Sequence, residues 1–345
     1  MIYSVFYPKE TGETIRLALL LFAERILPSL FAFSVSAKIL TKSGFCERLE
    51  RTPLCRLFPF LGVSAAGFSA MLLGLLSGFP VGASVLADFV SRGRMRKEEA
   101  ESLLPFCNNA GASFVIGTVG LLAFDSAEIG RTLYLAQTAA VLFAVMLTAP
   151  RRIPFLASSV LTEKKAPSAL SLVTSAIGEG AISMVGICGY VVFFSVVTKM
   201  LFCVFHAFLP FLDGFWAIFS GFLEISGGIA MISKMAFPET ERLIFCGALL
   251  GFGGFSVWMQ VADRAENAGI SLSFYGKGKC MTMLFSALFS PFFCALKEMR
   301  VWTLGIFLVF VIILVVCAVK NKIIFQKSVE KKEGILYNRY EIQCP

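Results

Sequence analysis

Hydrophobic residues run from Leu57 to Ala87 without a single charge, and this stretch of 31 residues is interrupted near its middle by Ser77-Gly-Phe-Pro-Val-Gly82. One helix of this length would measure about 46 Å at roughly 1.5 Å per residue, whereas the hydrocarbon core of a bilayer is about 30 Å thick. Two full crossings would need about 40 residues. The pattern therefore predicts a re-entrant hairpin over residues 57–91, which enters the membrane, turns at the Gly/Pro tip and returns.

Clusters of basic residues flank this stretch on both sides. They are Lys42, Arg48, Arg51 and Arg56 before it, and Arg92, Arg94, Arg96 and Lys97 after it. Because basic loops tend to stay on the cytoplasmic side, both ends of the stretch are predicted to face the cytoplasm. Irregular backbone at membrane depth occurs only where it is buried in protein or lines a wet cavity. The hairpin is therefore typical of a transporter or a channel.

Further apolar runs of spanning length follow along the chain. The uncharged runs are Ser102–Phe124, Thr132–Pro150, Gly180–Thr198, Leu243–Ala262, Cys280–Leu296 and Val301–Val319; Ile15–Lys38 and Gly214–Ser233 are interrupted by polar residues. The chain is 57% hydrophobic and 16% charged, with a mean hydropathy of +0.78, which excludes a soluble domain of this size. The predicted fold class is an all-α polytopic membrane protein with about eight or nine membrane-embedded segments.

The chain is predicted to consist of two related membrane halves with broken helices. Residues 1–150 form the first half with the hairpin, 151–170 a cytoplasmic linker, 171–319 the second half, and 320–345 a basic cytoplasmic tail. Two motifs recur between the halves: Phe60-Leu-Gly-Val-Ser returns as Phe222-Leu-Glu-Ile-Ser, and Gly78-Phe-Pro-Val returns as Gly254-Phe-Ser-Val. These echoes predict a second hairpin tip near Gly254, although Gly-rich apolar sequences also produce such echoes by chance. Many secondary transporters form their site from repeats of this kind.

Charge and cysteine content narrow the possible functions. The net charge of +8 comes from loops and from the tail, so it predicts contact with the lipid bilayer and no nucleic-acid partner. The ten cysteines contain no CxxC pair, and His206 is the single histidine. No metal site, cofactor or catalytic residue is therefore predicted, and the protein is not expected to be an enzyme. Its oligomeric state stays open, with a homo-oligomer as one possibility.

An asparagine pair marks a second place where a helix is expected to break. The segment Asn108-Asn-Ala-Gly-Ala-Ser113 lies near the start of an uncharged run. Adjacent asparagines followed by glycine favour unwinding and leave amide groups free. A helix that restarts after the break would point its N–H groups at a carboxylate. The alternative is a helix-packing face on which small residues let backbones approach and asparagine bonds across.

Two acids lie inside apolar segments and are the candidates for coupling transport to an ion or proton. An ionised carboxylate in hydrocarbon is costly, so it usually faces a cavity, pairs with a cation or carries a proton. Glu224 has long uncharged stretches on both sides, whereas Glu179 could instead mark an interfacial helix start. Glu224 could also be a neutral hydrogen-bond partner inside the bundle. Asp88 could simply pair with Arg92, four residues further on.

The predicted substrate-binding residues come from the hairpin tips, the asparagine pair and the embedded acid. They are Ser77, Gly78, Pro80, Asn108, Asn109, Ser113, Glu224, Ser226, Ser256 and Gln260. For Ser77, Ser256 and Gln260, contact with a ligand and satisfaction of the local backbone remain equal alternatives.

Several of these motifs resemble one known family. They are Leu76-Ser-Gly-Phe-Pro-Val-Gly-Ala83, Arg94 to Glu101, Phe106-Cys-Asn-Asn-Ala-Gly-Ala-Ser-Phe-Val-Ile-Gly117, Glu179, Phe222-Leu-Glu-Ile-Ser-Gly227 and Gly251-Phe-Gly-Gly-Phe-Ser-Val257. Over most of residues 15–300 the chain is similar to the YlbJ (SpoVV) family of sporulation integral membrane proteins. The resemblance places it among the Gate, or nucleoside-recognition, proteins, which are related to concentrative nucleoside transporters. It implies transport of dipicolinic acid across the outer forespore membrane, from the mother cell towards the developing spore.

Three functions compete at this point. A transporter of dipicolinic acid or a related small carboxylate comes first, because a small aromatic dianion suits helix N-termini and amides at broken helices. A transporter of nucleosides or other small metabolites would favour uncharged polar contacts. A membrane scaffold that transports nothing would tolerate the loss of Asn108, Asn109 and Glu224.

Overall fold

The computed structural model describes residues 5–50, 52, 62–148, 168–208 and 213–298. Every regular element within these ranges is helical. Met1–Cys294 form one compact unit, and of the unit that follows, Ala295–Pro345, only the last residues of the final described helix are included. Most of the predicted linker 151–170, the predicted span Val301–Val319 and the predicted tail 320–345 lie outside the described residues.

The first half contains seven α-helices and two π-helical segments within the described ranges. In chain order they are α1 (Pro8–Leu21), a π-helical segment (Phe22–Ile26), α2 (Leu27–Lys42), α3 (Phe45–Glu50), α4 (Ala65–Ser77), α5 (Val81–Ser91), α6 (Lys97–Cys107), a second π-helical segment (Phe114–Ala123) and α7 (Ala127–Thr148). The second half continues with α8 (Ala169–Phe208), α9 (Asp213–Leu223), α10 (Ile225–Ile232), α11 (Glu239–Phe252), α12 (Phe255–Asn267) and α13 (Tyr275–Glu298).

The described helices confirm a multi-pass membrane protein. By length and composition, four stretches can cross a membrane, namely Ala127–Thr148, Ala169–Phe208, Glu239–Asn267 and Tyr275–Ala295. A fifth becomes possible if the pair Pro8–Ile26 and Leu30–Lys42, which is bent by 55°, forms one span. Over its most apolar 18 residues, Glu239–Asn267 is 67% buried, whereas α8 and Tyr275–Ala295 are each 28% buried over theirs. The broken span is therefore more deeply buried than α8.

A helical hairpin forms where the uncharged stretch predicts one, within the described residues 65–91. Helix α4 has 13 residues, or about 20 Å at 1.5 Å per residue, which is too short to cross a bilayer core of about 30 Å. The chain turns at residues 78–80 and α5 packs back against α4. A Cβ atom on Gly74 or on Gly82 would collide with the carbonyl oxygen of Cys107, the last residue of α6. Gly74 of α4 and Gly82 of α5 therefore enclose the end of α6. Helices α4 and α5 and the turn between them are called here the first hairpin.

The predicted second hairpin is in a different place. Helices α11 and α12 on either side of Gly253-Gly254 together form one candidate span, so the chain does not fold back there. It folds back at Glu224, because α9 and α10 pack against each other and a Cβ atom on Gly228 would collide with Cα of Gly221. The prediction of a tip near Gly254 was wrong because glycines at left-handed φ values of 91° and 77° end one helix and begin another without reversing the chain. The second hairpin is therefore α9, Glu224 and α10.

The asparagine pair does break a helix. The predicted run Ser102–Phe124 is divided into α6 and the second π-helical segment, and residues 108–111 between them are not helical. We call residues 108–111 the first break and Gly253-Gly254 the second break. Each half thus contains a short-helix hairpin followed by a broken helix.

The charge pattern and the first hairpin together predict which loops share a side of the membrane. In a background without native cysteines, Ser43→Cys and Ser91→Cys should react with a membrane-impermeant maleimide only when it is added from the cytoplasmic side. Glu128→Cys, at the start of α7, should react only from the other side. All three positions are exposed, so access depends on the membrane alone. Labelling of the first two positions from opposite sides would contradict the re-entrant hairpin.

Candidate functional site

Each hairpin tip lies against the break of the broken helix that follows it. In the first half, a Cβ atom on Gly78 at the tip would lie 2.7 Å from the backbone nitrogen of Gly111. In the second half, a Cβ atom on Gly254 would lie 3.4 Å from the backbone nitrogen of Ile225. The close approach at Gly78 requires glycine, whereas at Gly254 the φ value of 77° favours it. Irregular backbone from two elements meets at each place.

The first break is held by amide side chains. Asn108 accepts a hydrogen bond at Oδ1 from the backbone nitrogen of Ala83 at 3.0 Å, and its Nδ2 donates to the carbonyl oxygen of Leu104 at 2.9 Å. Gln137 of α7 donates from Nε2 to the carbonyl oxygen of Ala110 at 2.9 Å. Both ends of the Asn108 amide are thus used within the fold, which favours the packing alternative for this residue.

Glu224 begins helix α10 and caps it with its own side chain. Its Oε1 accepts a hydrogen bond from the backbone nitrogen of Ser226 at 3.0 Å, and its Oε2 accepts one from the backbone nitrogen of Gly227 at 2.7 Å. A carboxylate at this position also interacts favourably with the positive end of the helix dipole. Glu224 is only 5% exposed, so the hydrogen bonds from these two N–H groups replace those that its carboxylate would make with water.

Lys279 of α13 connects the two breaks and is absent from the predicted set. Its side chain is completely buried, and Nζ donates to the carbonyl oxygen of Asn108 at 2.6 Å. Its Cε lies 3.6 Å from the position of a Cβ atom on Gly253. Among the described residues this is its only hydrogen bond, and none of their carboxylates lies within ion-pair distance. A buried lysine side chain therefore lies where both breaks meet.

A signal for Lys279 exists in the sequence. Lys277 and Lys279 are two residues apart, and residues two apart on a helix face nearly opposite directions. If both precede an apolar span, one of them must face the helix bundle. The structure places Lys277 on the exposed side and Lys279 inside.

Three buried amide oxygens, one each in the first break, α7 and α12, have no hydrogen-bond partner among the described residues. They are Asn109 Oδ1, Gln137 Oε1 and Gln260 Oε1. The orientation of the Asn109 amide follows from its Nδ2, which donates to the carbonyl oxygen of Phe106 at 2.5 Å. Because buried acceptors normally have partners, these oxygens are the groups that a donor on a bound molecule or a water could use.

A basic cavity of about 180 Å³ lies beside the first hairpin tip. Its walls are α2, the first hairpin and α8. Its polar and charged lining residues are Ser34, Lys38, Thr41, Lys42, Ser77, Ser84, Asp88, Arg92, Glu179 and Ser183, and Pro80 also lines it. Arg92 donates from Nε to Oδ1 of Asp88 at 2.9 Å, so of the interpretations left open for Asp88 the structure shows the pairing with Arg92.

A second cavity of about 290 Å³ lies between α8 and the second hairpin. Glu224 lines it together with Lys199 and Thr198 of α8. The two predicted coupling acids therefore belong to different cavities, Glu179 to the basic cavity and Glu224 to this one. Among the remaining predicted residues, Ser226 and Ser256 are buried near the second hairpin and the second break, and Ser113 lies just after the first break.

The chain is similar to the sporulation integral membrane protein YlbJ of Bacillus subtilis (strain 168). The two are 25% identical over 323 residues, which cover 83% of this chain and 78% of the relative. This similarity confirms the resemblance to the YlbJ family that the motifs indicated. No family model and no solved structure matches the chain at a significant level.

The close approach between the first hairpin and α6 predicts a large difference between two glycine substitutions. Gly82→Ala should destabilise the protein by about 1–3 kcal/mol or more, because the added methyl group meets the backbone of Cys107. Gly186→Ala on α8 is the control, since a Cβ atom there has nothing within 4 Å. Alanine in that helix should be neutral or stabilising by up to about 1 kcal/mol. Thermal unfolding in detergent measures both, and equal melting temperatures for the two variants would contradict the packing described.

Proposed function

We propose that this chain is a membrane transporter for a small carboxylate. The observation that carries the proposal is the meeting of two hairpin tips and two helix breaks around the buried Lys279. Broken helices occur within the membrane only where the break is buried in protein or lines a cavity. Secondary transporters use such breaks to bind substrates and ions. A scaffold has no comparable need for a buried cation that lacks an acidic partner among the described residues.

The order of elements supports two related halves. Each half contains a long or bent helix, a short-helix hairpin, a broken helix and a further long helix, over residues 8–148 and 169–298. In this alignment the first break corresponds to the second break, and the tip at residues 78–80 corresponds to Glu224. We infer from this order, and from the sequence resemblance, an architecture like that of the Gate proteins and concentrative nucleoside transporters.

The charges near the first half support an anionic cargo. Lys38, Lys42 and Arg92 line the basic cavity, and Lys279 lies buried at the breaks. The cavity is smaller than the roughly 300–1,000 Å³ pockets that hold drug-sized ligands, so its size suits a single-ring metabolite. The resemblance to the YlbJ family implies dipicolinic acid as the cargo and the outer forespore membrane of a sporulating bacterium as the location. We adopt both as part of the proposal.

Uptake of labelled dipicolinate by the purified protein in liposomes tests the proposal directly. We expect uptake that exceeds that of empty liposomes and that unlabelled dipicolinate inhibits. Stronger inhibition by nucleosides than by dipicolinate would favour the nucleoside alternative. Absence of uptake for both classes would contradict the transporter function, and spore dipicolinate content in a deletion strain complemented with this gene provides an independent measurement.

Lys279 should be required for uptake of an anion. Lys279→Met keeps the length of the side chain but removes its charge, so we expect uptake to fall by about tenfold or more. Because Lys279→Met also removes the hydrogen bond to the carbonyl oxygen of Asn108, uptake is compared at equal amounts of folded, inserted protein. Lys277→Met is the matched control, because Lys277 lies two residues earlier on the same helix and is exposed. Wild-type uptake by Lys279→Met would exclude this lysine from transport.

Glu224 should couple transport to its driving force. Glu224→Gln retains a side-chain oxygen that can cap α10, so we expect the protein to fold and insert. Because the amide cannot titrate, we expect loss of uphill accumulation, with at most downhill exchange remaining. Accumulation driven by a pH gradient and counterflow in liposomes separate these two activities. Unchanged accumulation with unchanged pH dependence would leave Glu224 only its capping role.

A further inference from the structure

The basic cavity contains a binding site for a carboxylate, and the side chain of Glu179 occupies it. Glu179 of α8 is held by Lys42 Nζ and by Lys38 Nζ, the latter at 3.4 Å. Ser175 donates from its hydroxyl to Glu179 Oε1 at 2.9 Å. Lys38 and Lys42 are one helical turn apart on α2, so the two ammonium groups converge on the same anion. This arrangement is a built anion site, and its occupant is covalently part of α8.

The ion group is not sealed inside the protein. The side chains of Lys38, Lys42 and Glu179 are 21%, 28% and 42% exposed, respectively. Partly exposed ion pairs contribute little net stability, because water solvates the separated partners well. An incoming anion can therefore exchange with Glu179 without leaving either lysine unpaired.

The charge of the cavity changes when Glu179 leaves. The cavity wall contains three positively charged side chains and two negatively charged ones, namely Lys38, Lys42 and Arg92, and Asp88 and Glu179. With Glu179 turned away, the remaining lining residues carry two net positive charges, which match a dicarboxylate. Phe79 of the first hairpin and Met184 of α8 supply apolar lining, suited to the ring of a planar aromatic acid.

We propose that Glu179 is a built-in competitor of the cargo. A cargo carboxylate replaces Glu179 on Lys38 and Lys42, and the displaced side chain releases the ionic link between α2 and α8. Cargo binding is thereby coupled to the freedom of α8 to move relative to α2, the helix against which it packs. The identity of the cargo as a carboxylate rests on the proposed function, whereas the exchange itself rests on the geometry of the ion group.

The decisive prediction is that removing the acid of the ion group and removing either lysine change the affinity for dipicolinate in opposite directions. Binding of labelled dipicolinate to the full-length protein in detergent is measured by equilibrium dialysis. Glu179→Gln removes the competing charge, so the Kd should fall by about threefold or more. Lys42→Gln and Lys38→Gln each remove a cation of the binding site, so each Kd should rise by about tenfold. Glu179→Ala should change the Kd in the same direction as Glu179→Gln.

Two controls separate competition from folding effects. Glu13→Gln removes the acid of an exposed ion pair with Arg16 on α1, outside the cavity, and should leave the Kd unchanged. Only variants with the melting temperature of the wild type are compared. A purely structural ion pair would make Glu179→Gln and Lys42→Gln weaken binding together, and that result, or an unchanged Kd in both Glu179 variants, would overturn the proposal.

The test also distinguishes this proposal from the proposed function. If the wild type takes up dipicolinate and neither Glu179 variant binds it more tightly, the competitor role is wrong and the transporter function stands. If the wild type takes up no dipicolinate in liposomes but Glu179→Gln binds picolinate, a monocarboxylate probe, more tightly than the wild type does, the competitor role stands and the proposed transport function is wrong.

Discussion

Helices that break inside an apolar bundle release backbone N–H and C=O groups that lipid cannot satisfy, and the whole structure depends on bonding these groups again. At the first break, Asn108, Gln137 and Lys279 supply the bonds. At the second hairpin the carboxylate of Glu224 supplies them, and near the second break Thr282 donates to the carbonyl oxygen of Gly251 at 2.8 Å. The helix breaks therefore require these polar side chains in the interior as hydrogen-bond partners. Any contact of the same side chains with a cargo comes in addition to this structural role.

The hairpins meet the same constraint through close packing. Gly74 and Gly82 lie on both sides of the Cys107 carbonyl, and Gly221 and Gly228 bring α9 and α10 into contact. Small residues at such places let backbones approach, which is how helices associate in membranes without a hydrophobic driving force between them. A hairpin tip and a break thus position each other. Because both halves use this arrangement, irregular backbone from four elements is concentrated in one region, close to Lys279.

The charged groups of the interior fall into two energetic classes. Lys279 is completely buried and has one hydrogen bond among the described residues, so its charge is costly without an anion. Lys38, Lys42 and Glu179 are partly exposed and satisfy one another, so their pairing is easily exchanged. The buried Lys279 suits a permanent requirement for negative charge near the breaks. The partly exposed group of Lys38, Lys42 and Glu179 suits the reversible binding of an anion. Glu179 and Glu224 line separate cavities.

The sequence by itself determined the class of protein, the first hairpin and the helix break at Asn108, because apolar length and Gly, Pro and Asn residues act locally on the backbone. It also identified Glu224 as an embedded acid at a special position. It misplaced the second fold-back, because a Gly-Gly pair is compatible with both a turn and a straight interruption, and only the packing of α9 on α10 decides between them. The spacing of Lys277 and Lys279 indicates only that one of the two faces the bundle, and the partners of Glu179 were beyond local reasoning. The lysines that hold Glu179 are 137 and 141 residues away from it, and Lys279 reaches a carbonyl group 171 residues away. Such pairings exist only after the helices have packed, since no local pattern specifies which face of a helix will be enclosed by the bundle.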